Sequence, residues 1–234
     1  MKIKVWNLLD GHRHIAALVG AGGKTTVMYQ LAEYLSHMGK KVLVSTTTHI
    51  LQPSPAVYAD SKEHLLALWQ QGSYGVCGTP AAEGKLTMLP LNELHERVQL
   101  ADIVLLEADG AKGRPCKAPA AHEPVILPEC DMVIGVVGLD AVGGRADDVC
   151  LRADKVRQLL QCSERHRLTT EDIALLLTAP YGTRKDVGDR NYHLVLNKCD
   201  TAERMLLARE ISRYLQQRGM NEDDIWIRGA WQCE

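Results

Sequence analysis

The sequence lacks a paired-cysteine motif, a long apolar run, any phenylalanine and a strong excess of charge of either sign. The seven cysteines form no Cys-x-x-Cys, which excludes a zinc framework or a disulfide scaffold and predicts a reduced, cytoplasmic protein. A formal net charge of −2 gives no reason to expect nucleic acid or an anionic membrane as a partner. The apolar runs are too short to span a bilayer, and the first residues lack the apolar region of an export signal.

What is present is an alternation of apolar segments with strand and helix character, over 234 residues of which 46% are hydrophobic. Several strand segments are apolar on both faces, which is typical of a parallel sheet buried between helices. We therefore expect an α/β fold with three layers and a mostly parallel central sheet. The absence of repeats and low-complexity linkers favours a single domain over residues 1–234, with an insertion at 74–90 and an ordered functional loop at 111–130.

The hydrophobic periodicity also places the individual elements. Beyond the segments described below, helices are expected over residues 61–71, 92–98, 153–162, 169–178 and 202–218. Strands are expected over residues 41–44, 102–106, 132–137, 192–196 and 224–228. Right-handed crossovers bring the carboxyl ends of parallel strands to one sheet edge, so polar residues that follow these strands are expected to meet there.

The most informative segment follows the apolar run 15–19. It reads Gly20, Ala21, Gly22, Gly23, Lys24, Thr25, Thr26. Glycines let successive amide groups converge on an anion, and the helix that begins here, whose apolar positions continue to the stop at Gly39, adds its positive end. The motif predicts a phosphate-binding loop in which Lys24 reaches the β- and γ-phosphates and Thr25 ligates Mg²⁺. It is a variant, because Leu18 stands where the usual pattern has glycine; the alternative is a glycine-rich turn with a surface lysine.

A second motif closes the strand 192–196. Asn197, Lys198 and Asp200 fit the N-K-x-D pattern of GTP-binding proteins. An aspartate carboxylate can accept two hydrogen bonds from guanine, and an asparagine amide can meet both the purine and the phosphate loop. These residues therefore predict binding of GTP in preference to ATP. The alternative is a structural turn in which Asp200 caps the helix 202–218.

Two carboxylates follow the strand 102–106. Either Glu107 or Asp109 could hold Mg²⁺ directly or through water, and the other would then orient water or a switch loop. Glu107-x-x-Gly110 resembles the E-x-x-G motif of GTPases that deliver nickel to metalloenzymes. Lys24, Glu107 and Asp109 are thus the expected catalytic residues. A plain Asp-Gly turn at the end of the strand is the alternative.

Other polar residues near the same edge are candidates for a second substrate or a switch. The candidates are Thr46, Thr47, Thr48, His49, Lys112, Arg114 and Lys117. Each group also has a purely structural explanation. The threonines could be β-branched residues at a strand end, and the basic residues could belong to a solvated loop. His122 and Glu123 could bind a metal or be structural, and Asp140 points to the ligand edge with an open role.

Taken together and in this order, the motifs resemble one family. The segments are Gly20–Thr26, Thr46–His49, Glu107–Gly110, Lys117–Pro124, Gly138–Ala141 and Asn197–Asp200. They are similar to the selenium-dependent hydroxylase accessory proteins, also called YqeC-like selenium cofactor biosynthesis proteins. The family pattern has a His-Arg-Pro triplet after the Gly-Leu-Asp segment, where this chain reads Val149-Cys150-Leu151-Arg152-Ala153. The contact made by that histidine is therefore not transferred.

The resemblance implies a P-loop nucleotide-binding protein that acts in the maturation of molybdenum hydroxylases carrying labile selenium. The expected cofactors are Mg²⁺ and GTP or ATP, and the expected partners are the nucleotide and an apo-enzyme client. Two alternatives stay open: an ATP-dependent kinase or ligase, similar in its loop to the amino-acid ligases of cell-wall synthesis, and a binding module without turnover. Cys116 is the one thiol to test for contact with a chalcogen, against the alternative of a plain surface thiol.

Overall fold

The computed structural model describes residues 6–229, in which helices and strands alternate along the chain. The helices are α1 (Lys24–His37), α2 (Lys62–Gln70), α3 (Leu91–Leu100), α4 (Ala146–Val149), α5 (Ala153–Leu160), α6 (Thr170–Thr178) and α7 (Ala202–Gln217). The strands are β1 (His14–Gly20), β2 (Val42–Thr46), β3 (His49–Leu51), β4 (Gly75–Val76), β5 (Thr79–Ala81), β6 (Lys85–Thr87), β7 (Ile103–Glu107), β8 (Cys116–Lys117), β9 (Met132–Gly138), β10 (Cys150–Leu151), β11 (Asn191–Asn197) and β12 (Ile225–Ile227). The expected helices and main strands are confirmed to within a few residues at their ends.

The central sheet has seven strands in the order β12-β11-β9-β1-β7-β2-β4, and every neighbouring pair is parallel. This confirms the expected α/β fold with a parallel sheet between helical layers. Two small sheets accompany it, β3-β6-β5 and β10-β8. Of the residues 74–90, Gly75–Val76 joins the edge of the central sheet, whereas β6 lies antiparallel between β3 and β5.

Both faces of the sheet are buried, which explains the uninterrupted apolar runs in the sequence. In β1, Ala17 and Val19 belong to the core on one face, and Ala16 and Leu18 to the core on the other. The first core also contains residues of α6 and α7, and the second contains residues of α1. Successive side chains of a strand point to opposite faces, so a strand covered on both sides must be apolar throughout.

The connections create a crevice at the carboxyl edge of the sheet. From β1 the chain continues to β2, which lies toward the β4 edge of the sheet. From β9 it continues to β11, which lies toward the opposite, β12 edge. β1 and β9 are neighbours, so their ends flank a topological switch point, where open α/β sheets bind ligands. Over the residues described, no helix is long and apolar enough to cross a membrane.

Candidate functional site

The loop between β1 and α1 is shaped by glycines that no other residue could replace without movement. Gly22 has φ +78°, and a Cβ atom there would lie 2.0 Å from the backbone nitrogen of Gly138. Gly20 has φ +95°, and its Cβ would lie 2.4 Å from the carbonyl oxygen of Val136. Both positions need the left-handed region and the missing side chain. The loop is therefore packed directly against the end of β9.

The backbone amides of this loop divide into two groups. Gly20 donates to Asp109 Oδ2 at 3.0 Å, Ala21 to the carbonyl of Val136 at 2.9 Å, and Gly22 to the carbonyl of Arg114 at 3.0 Å. The next four amides, of residues 23–26, have no acceptor within residues 6–229, and α1 has no side-chain cap at its start. Unused amides at a helix N-terminus, beside the positive end of the helix dipole, form an anion-binding site.

Lys24 lies beside these amides and is buried. Its ammonium donates to the carbonyl of Gly20 at 2.8 Å and forms ion pairs with Asp109 Oδ1 at 3.1 Å and Glu107 Oε1 at 3.7 Å. A buried ammonium requires such partners, because an unpaired charge costs several kcal/mol in the interior. Two carboxylates thus hold the lysine at the opening of the loop.

The two carboxylates have different neighbours. Glu107 Oε2 accepts a hydrogen bond from the Thr25 hydroxyl at 2.7 Å, whereas Asp109 bonds the amide of Gly20. Burial raises the pKa of Glu107, although Lys24 and the Thr25 hydroxyl partly oppose this effect. Of the two alternatives left open by the sequence, Glu107 is therefore the carboxylate beside the threonine, and Asp109 is tied to the loop itself.

The oxygen atoms of Thr25 and Glu107 fit a hard cation such as Mg²⁺, which prefers oxygen ligands. Within the described part of the chain, no group of three or more His, Cys, Asp or Glu residues is arranged to hold a metal. A cation here would therefore depend on the oxygens of a bound ligand and on water for the rest of its coordination, as is usual for Mg²⁺ at phosphate sites.

Charged residues of the loop 111–130 form a further network of ion pairs that includes Asp109. Lys117 forms ion pairs with Asp109 Oδ2 at 2.9 Å and Glu123 Oε2 at 2.7 Å, and donates to the carbonyl of Gly110 at 2.7 Å. Arg152 pairs with the same oxygen of Glu123 at 2.9 Å. Burial would raise the pKa of Glu123, but Lys117, the Ala120 amide and Arg152 outweigh it and lower that pKa to about 2.

This network decides between two alternatives for one pair of residues and adds one residue. Glu123 is engaged by two cations and His122 is exposed, so the pair does not form the metal site that the sequence allowed. Arg152 was missed. It precedes α5 in a left-handed conformation with φ 61°, and no local motif indicates that its side chain returns to the loop.

The hydroxyl cluster lies next to Glu107, but its atoms are largely used by the backbone. Thr46 donates its hydroxyl to the carbonyl of Glu107 at 2.9 Å, and Thr47 donates its amide to the same oxygen at 3.0 Å. The amide of Thr48 donates to the Thr46 hydroxyl at 2.9 Å. His49 is exposed and begins β3. These residues fix the end of β2 against the end of β7.

The remaining basic candidates do not converge with Lys117. Lys112 is exposed, and Arg114 is exposed and donates to the carbonyl of Asp148. Cys116 is not a surface thiol, which corrects that alternative: it is buried opposite Cys150 across β8 and β10. The hydrogen bond with the Cys150 thiol and burial raise the pKa of Cys116 well above its usual value, so it is poorly suited to nucleophilic chemistry.

The N-K-x-D residues reach the loop from the end of β11. Asn197 donates its amide to the carbonyl of Gly22 at 2.7 Å and accepts from the Arg228 guanidinium. Lys198, with φ 64°, pairs with Asp140 Oδ2 at 2.6 Å. The carbonyl of Gly22 thus joins the two sequence motifs, which are far apart in the chain.

Asp200 does not cap α7, which corrects the structural alternative for this motif. Thr201 is the N-cap, and its hydroxyl accepts from the amide of Arg204. The Asp200 side chain is exposed and has no hydrogen bond or ion pair with any other residue of the range 6–229. Its carboxylate is therefore available to a ligand.

Comparison with known proteins identifies the family to which the chain belongs. The family model described as YqeC protein matches residues 16–154, which include the glycine loop, Glu107, Asp109 and the Lys117 network. A relative described as the uncharacterized protein YqeC of Escherichia coli (strain K12) is 31% identical over 229 residues, covering 91% of this chain and 86% of that protein. The chain belongs to the YqeC family.

Proposed function

We propose that this protein binds a magnesium nucleoside triphosphate, GTP in preference to ATP, and hydrolyses it as an accessory factor in the maturation of selenium-dependent molybdenum hydroxylases. The observation that carries the proposal is the row of four amides at residues 23–26, which have no acceptor in the part of the chain that the structure describes, beside a buried lysine. Backbone amides with a lysine and a helix N-terminus are a general solution for binding phosphate oxygens.

The contacts of Lys24 support a change of partner on binding. Its ammonium is neutralised by Asp109 and lies near Glu107. Phosphate oxygens at the amides would compete for that ammonium, and Mg²⁺ beside Thr25 and Glu107 would offset the added negative charge. Glu107 would hold the metal or its water, and Asp109 would keep the loop in place through Gly20.

The support for guanine comes from the other side of the loop. Asn197 is bonded to the carbonyl of Gly22, and Asp200 is exposed and caps no helix. A free carboxylate two residues beyond a structural asparagine can accept two hydrogen bonds from guanine N1–H and the 2-amino group. Adenine lacks that pair of donors. Bound ATP would therefore leave the Asp200 carboxylate without hydrogen bonds, and this disfavours ATP relative to GTP.

The accessory role rests on the resemblance of the whole motif series and on the loop 111–130. Lys117 connects this loop to Asp109, and Asp109 contacts both Gly20 and Lys24. A phosphate that moves Lys24 away from Asp109 would change the charge balance around Lys117. The nucleotide state would thus alter the loop that docks on an apo-enzyme client.

A thermal-shift comparison of GTP, ATP and their diphosphates, each with and without Mg²⁺, tests the proposal. Binding to the native state stabilises by about 2.7 kcal/mol at 100 times Kd, so Mg²⁺-GTP is expected to raise the melting temperature most. Lys24→Arg keeps the buried positive charge but changes the shape of the donor, and it should lose most of the shift. Lys40→Arg, in the turn after α1, is the matched control and should keep it.

Hydrolysis is tested separately by phosphate release with Mg²⁺-GTP, alone and with a candidate apo-hydroxylase. Absence of any shift with all four nucleotides would refute the nucleotide site. A shift without phosphate release, even with the client, would favour the binding module. A strict preference for ATP would favour the kinase or ligase, for which the bonded hydroxyls of Thr46 and Thr47 offer little support.

A further inference from the structure

A cavity whose lining includes no residue of the glycine loop lies beside the loop 111–130. It has a volume of about 650 Å³ and is bounded by the segment 119–121, by α5 and α6 and by residues 179–185. Its apolar lining includes Pro119, Ala121, Leu159, Leu175 and Ala179. This size and lining are those of a small-molecule site rather than of a packing defect.

The charged side chains that line this cavity are both cationic, beside the neutral amide of Gln158. Lys155 and Lys185 are its charged lining residues, and no carboxylate lines it. Lys185 is occupied, since it pairs with Asp186 at 3.0 Å and donates to the carbonyl of Ala121 at 3.0 Å. Lys155 is only partly exposed and forms no ion pair within residues 6–229, so its ammonium is available to an anion.

An aromatic side chain completes the cavity. Tyr181 lines it and is 81% exposed, which is high for a tyrosine beside an apolar surface. A flat ligand could stack on that ring, and its burial would remove apolar surface of both partners from water.

The wall formed by residues 119–121 is well fixed. The amide of Ala120 donates to Glu123 Oε2 at 3.3 Å, and Lys185 donates to the carbonyls of Ala120, Ala121 and Glu123. The cavity is thus formed in advance, which reduces the ordering cost of binding. Its lining residues differ from those of the glycine loop.

We propose that this cavity binds a small organic anion with a flat apolar body, held by the apolar wall, by Tyr181 and by the ammonium of Lys155. The proposal does not depend on nucleotide binding at the glycine loop. It assigns a ligand-binding role to the segment 153–185, which the proposed function leaves unused.

The test is a fluorescence titration of the full chain with 8-anilinonaphthalene-1-sulfonate, an aromatic sulfonate. One saturable site per chain is expected. Ala179→Trp fills the cavity and should weaken binding at least about ten-fold. Lys155→Met should weaken it about three- to five-fold, the loss of one partly exposed ion pair, and should leave binding of the neutral N-phenyl-1-naphthylamine unchanged.

Matched controls are Leu51→Trp, an exposed apolar position on β3, and Lys40→Met, both of which should bind the dye as the wild type does. Far-UV circular dichroism and melting curves check the fold, and Ala121→Leu replaces Ala179→Trp if the latter melts early. The proposal is overturned if the filled variant binds normally, if Lys155→Met has no effect, or if excess Mg²⁺-GTP displaces the dye. Failure of nucleotide binding alone would leave these results unchanged.

Discussion

Asp200 shows how a single side chain can separate a binding motif from a turn. It is exposed and forms no hydrogen bond or ion pair within residues 6–229, and Thr201 rather than Asp200 caps the helix α7. Asp200→Asn should weaken GTP binding by about 10- to 100-fold, since hydrogen bonds to a charged group contribute about 1.5–3 kcal/mol. Isothermal titration with GTP, ATP and xanthosine triphosphate measures the difference, and ATP should change little.

Asp189→Asn is the matched control for this prediction, because it removes the same charge from an exposed aspartate elsewhere. Its affinities for the three nucleotides should equal those of the wild type. Equal losses for all three nucleotides in Asp200→Asn would contradict base recognition and leave 197–200 as a structural turn.

Glu107 is a residue at which stability and the proposed function conflict. Burial raises its pKa, so the folded protein holds the ionised form less well than the unfolded chain does. The resulting loss of stability is absent below the pKa that Glu107 has in the unfolded chain, and it grows as pH rises through the higher pKa that Glu107 has in the folded protein. Because Asp109 still pairs with the Lys24 ammonium at 3.1 Å, Glu107→Gln should raise the melting temperature slightly at neutral pH, yet abolish the extra stabilisation that Mg²⁺ adds to bound GTP.

Melting curves at neutral and acidic pH, with and without Mg²⁺-GTP, measure both effects. The variant and the wild type should converge at low pH, where the wild-type carboxyl is protonated. A variant that keeps the full Mg²⁺ effect would exclude Glu107 as the group that holds the metal or its water.

At the scale of elements, the loop 111–130 is joined to the sheet edge by buried charges. Lys117 and Arg152 hold the pKa of Glu123 at about 2, below its ordinary value near 4.5. A lowered carboxyl pKa contributes stability above the unfolded pKa, and this stability is lost as pH falls toward the folded value. The lowered pKa of Glu123 corresponds to at most roughly 3 kcal/mol in the free energy of unfolding, lost between pH 4.5 and 2, because water screens part of the attraction.

Urea unfolding as a function of pH measures this contribution. Glu123→Gln should be less stable than the wild type at neutral pH, and its acid-dependent loss should be smaller by about that amount. Glu129→Gln removes an exposed glutamate of the same loop, whose surface pair with His95 contributes little, and it should follow the wild-type curve closely. Parallel pH curves for Glu123→Gln and the wild type would show that the network does not couple the loop to stability.

At the scale of the whole molecule, the two-sided core explains the departure at Leu18 from the usual phosphate-loop pattern. Leu18 is fully buried within β1, opposite Glu107 in β7, and the strand ends two residues later at Gly20. It packs in the same core as Val27 and Met28 of α1. The glycine loop therefore begins only after Gly20, and residue 18 belongs to the hydrophobic core of the strand and not to the turn.

Leu18→Ala should lower the free energy of unfolding by about 2–5 kcal/mol, as is usual when a fully buried leucine is truncated. Chemical denaturation measures the loss. Leu206→Ala, on the exposed face of α7, should stay within about 0.5 kcal/mol of the wild type. A small effect at Leu18 would contradict the close packing of β1 against α1.

The sequence by itself determined the layers of this protein, because apolar periodicity depends on which faces are buried and needs no knowledge of distant partners. It also located the glycine loop and Asn197, since these motifs are local. The identity of the carboxylate beside Thr25, the cap of α7 and the burial of Cys116 were decided only by the tertiary structure. So was Arg152, whose contact with Glu123 spans residues separated in the chain. Such contacts join residues that are distant in the chain, and they form only when the carboxyl ends of the strands lie side by side at the sheet edge. No single segment of the sequence contains that information.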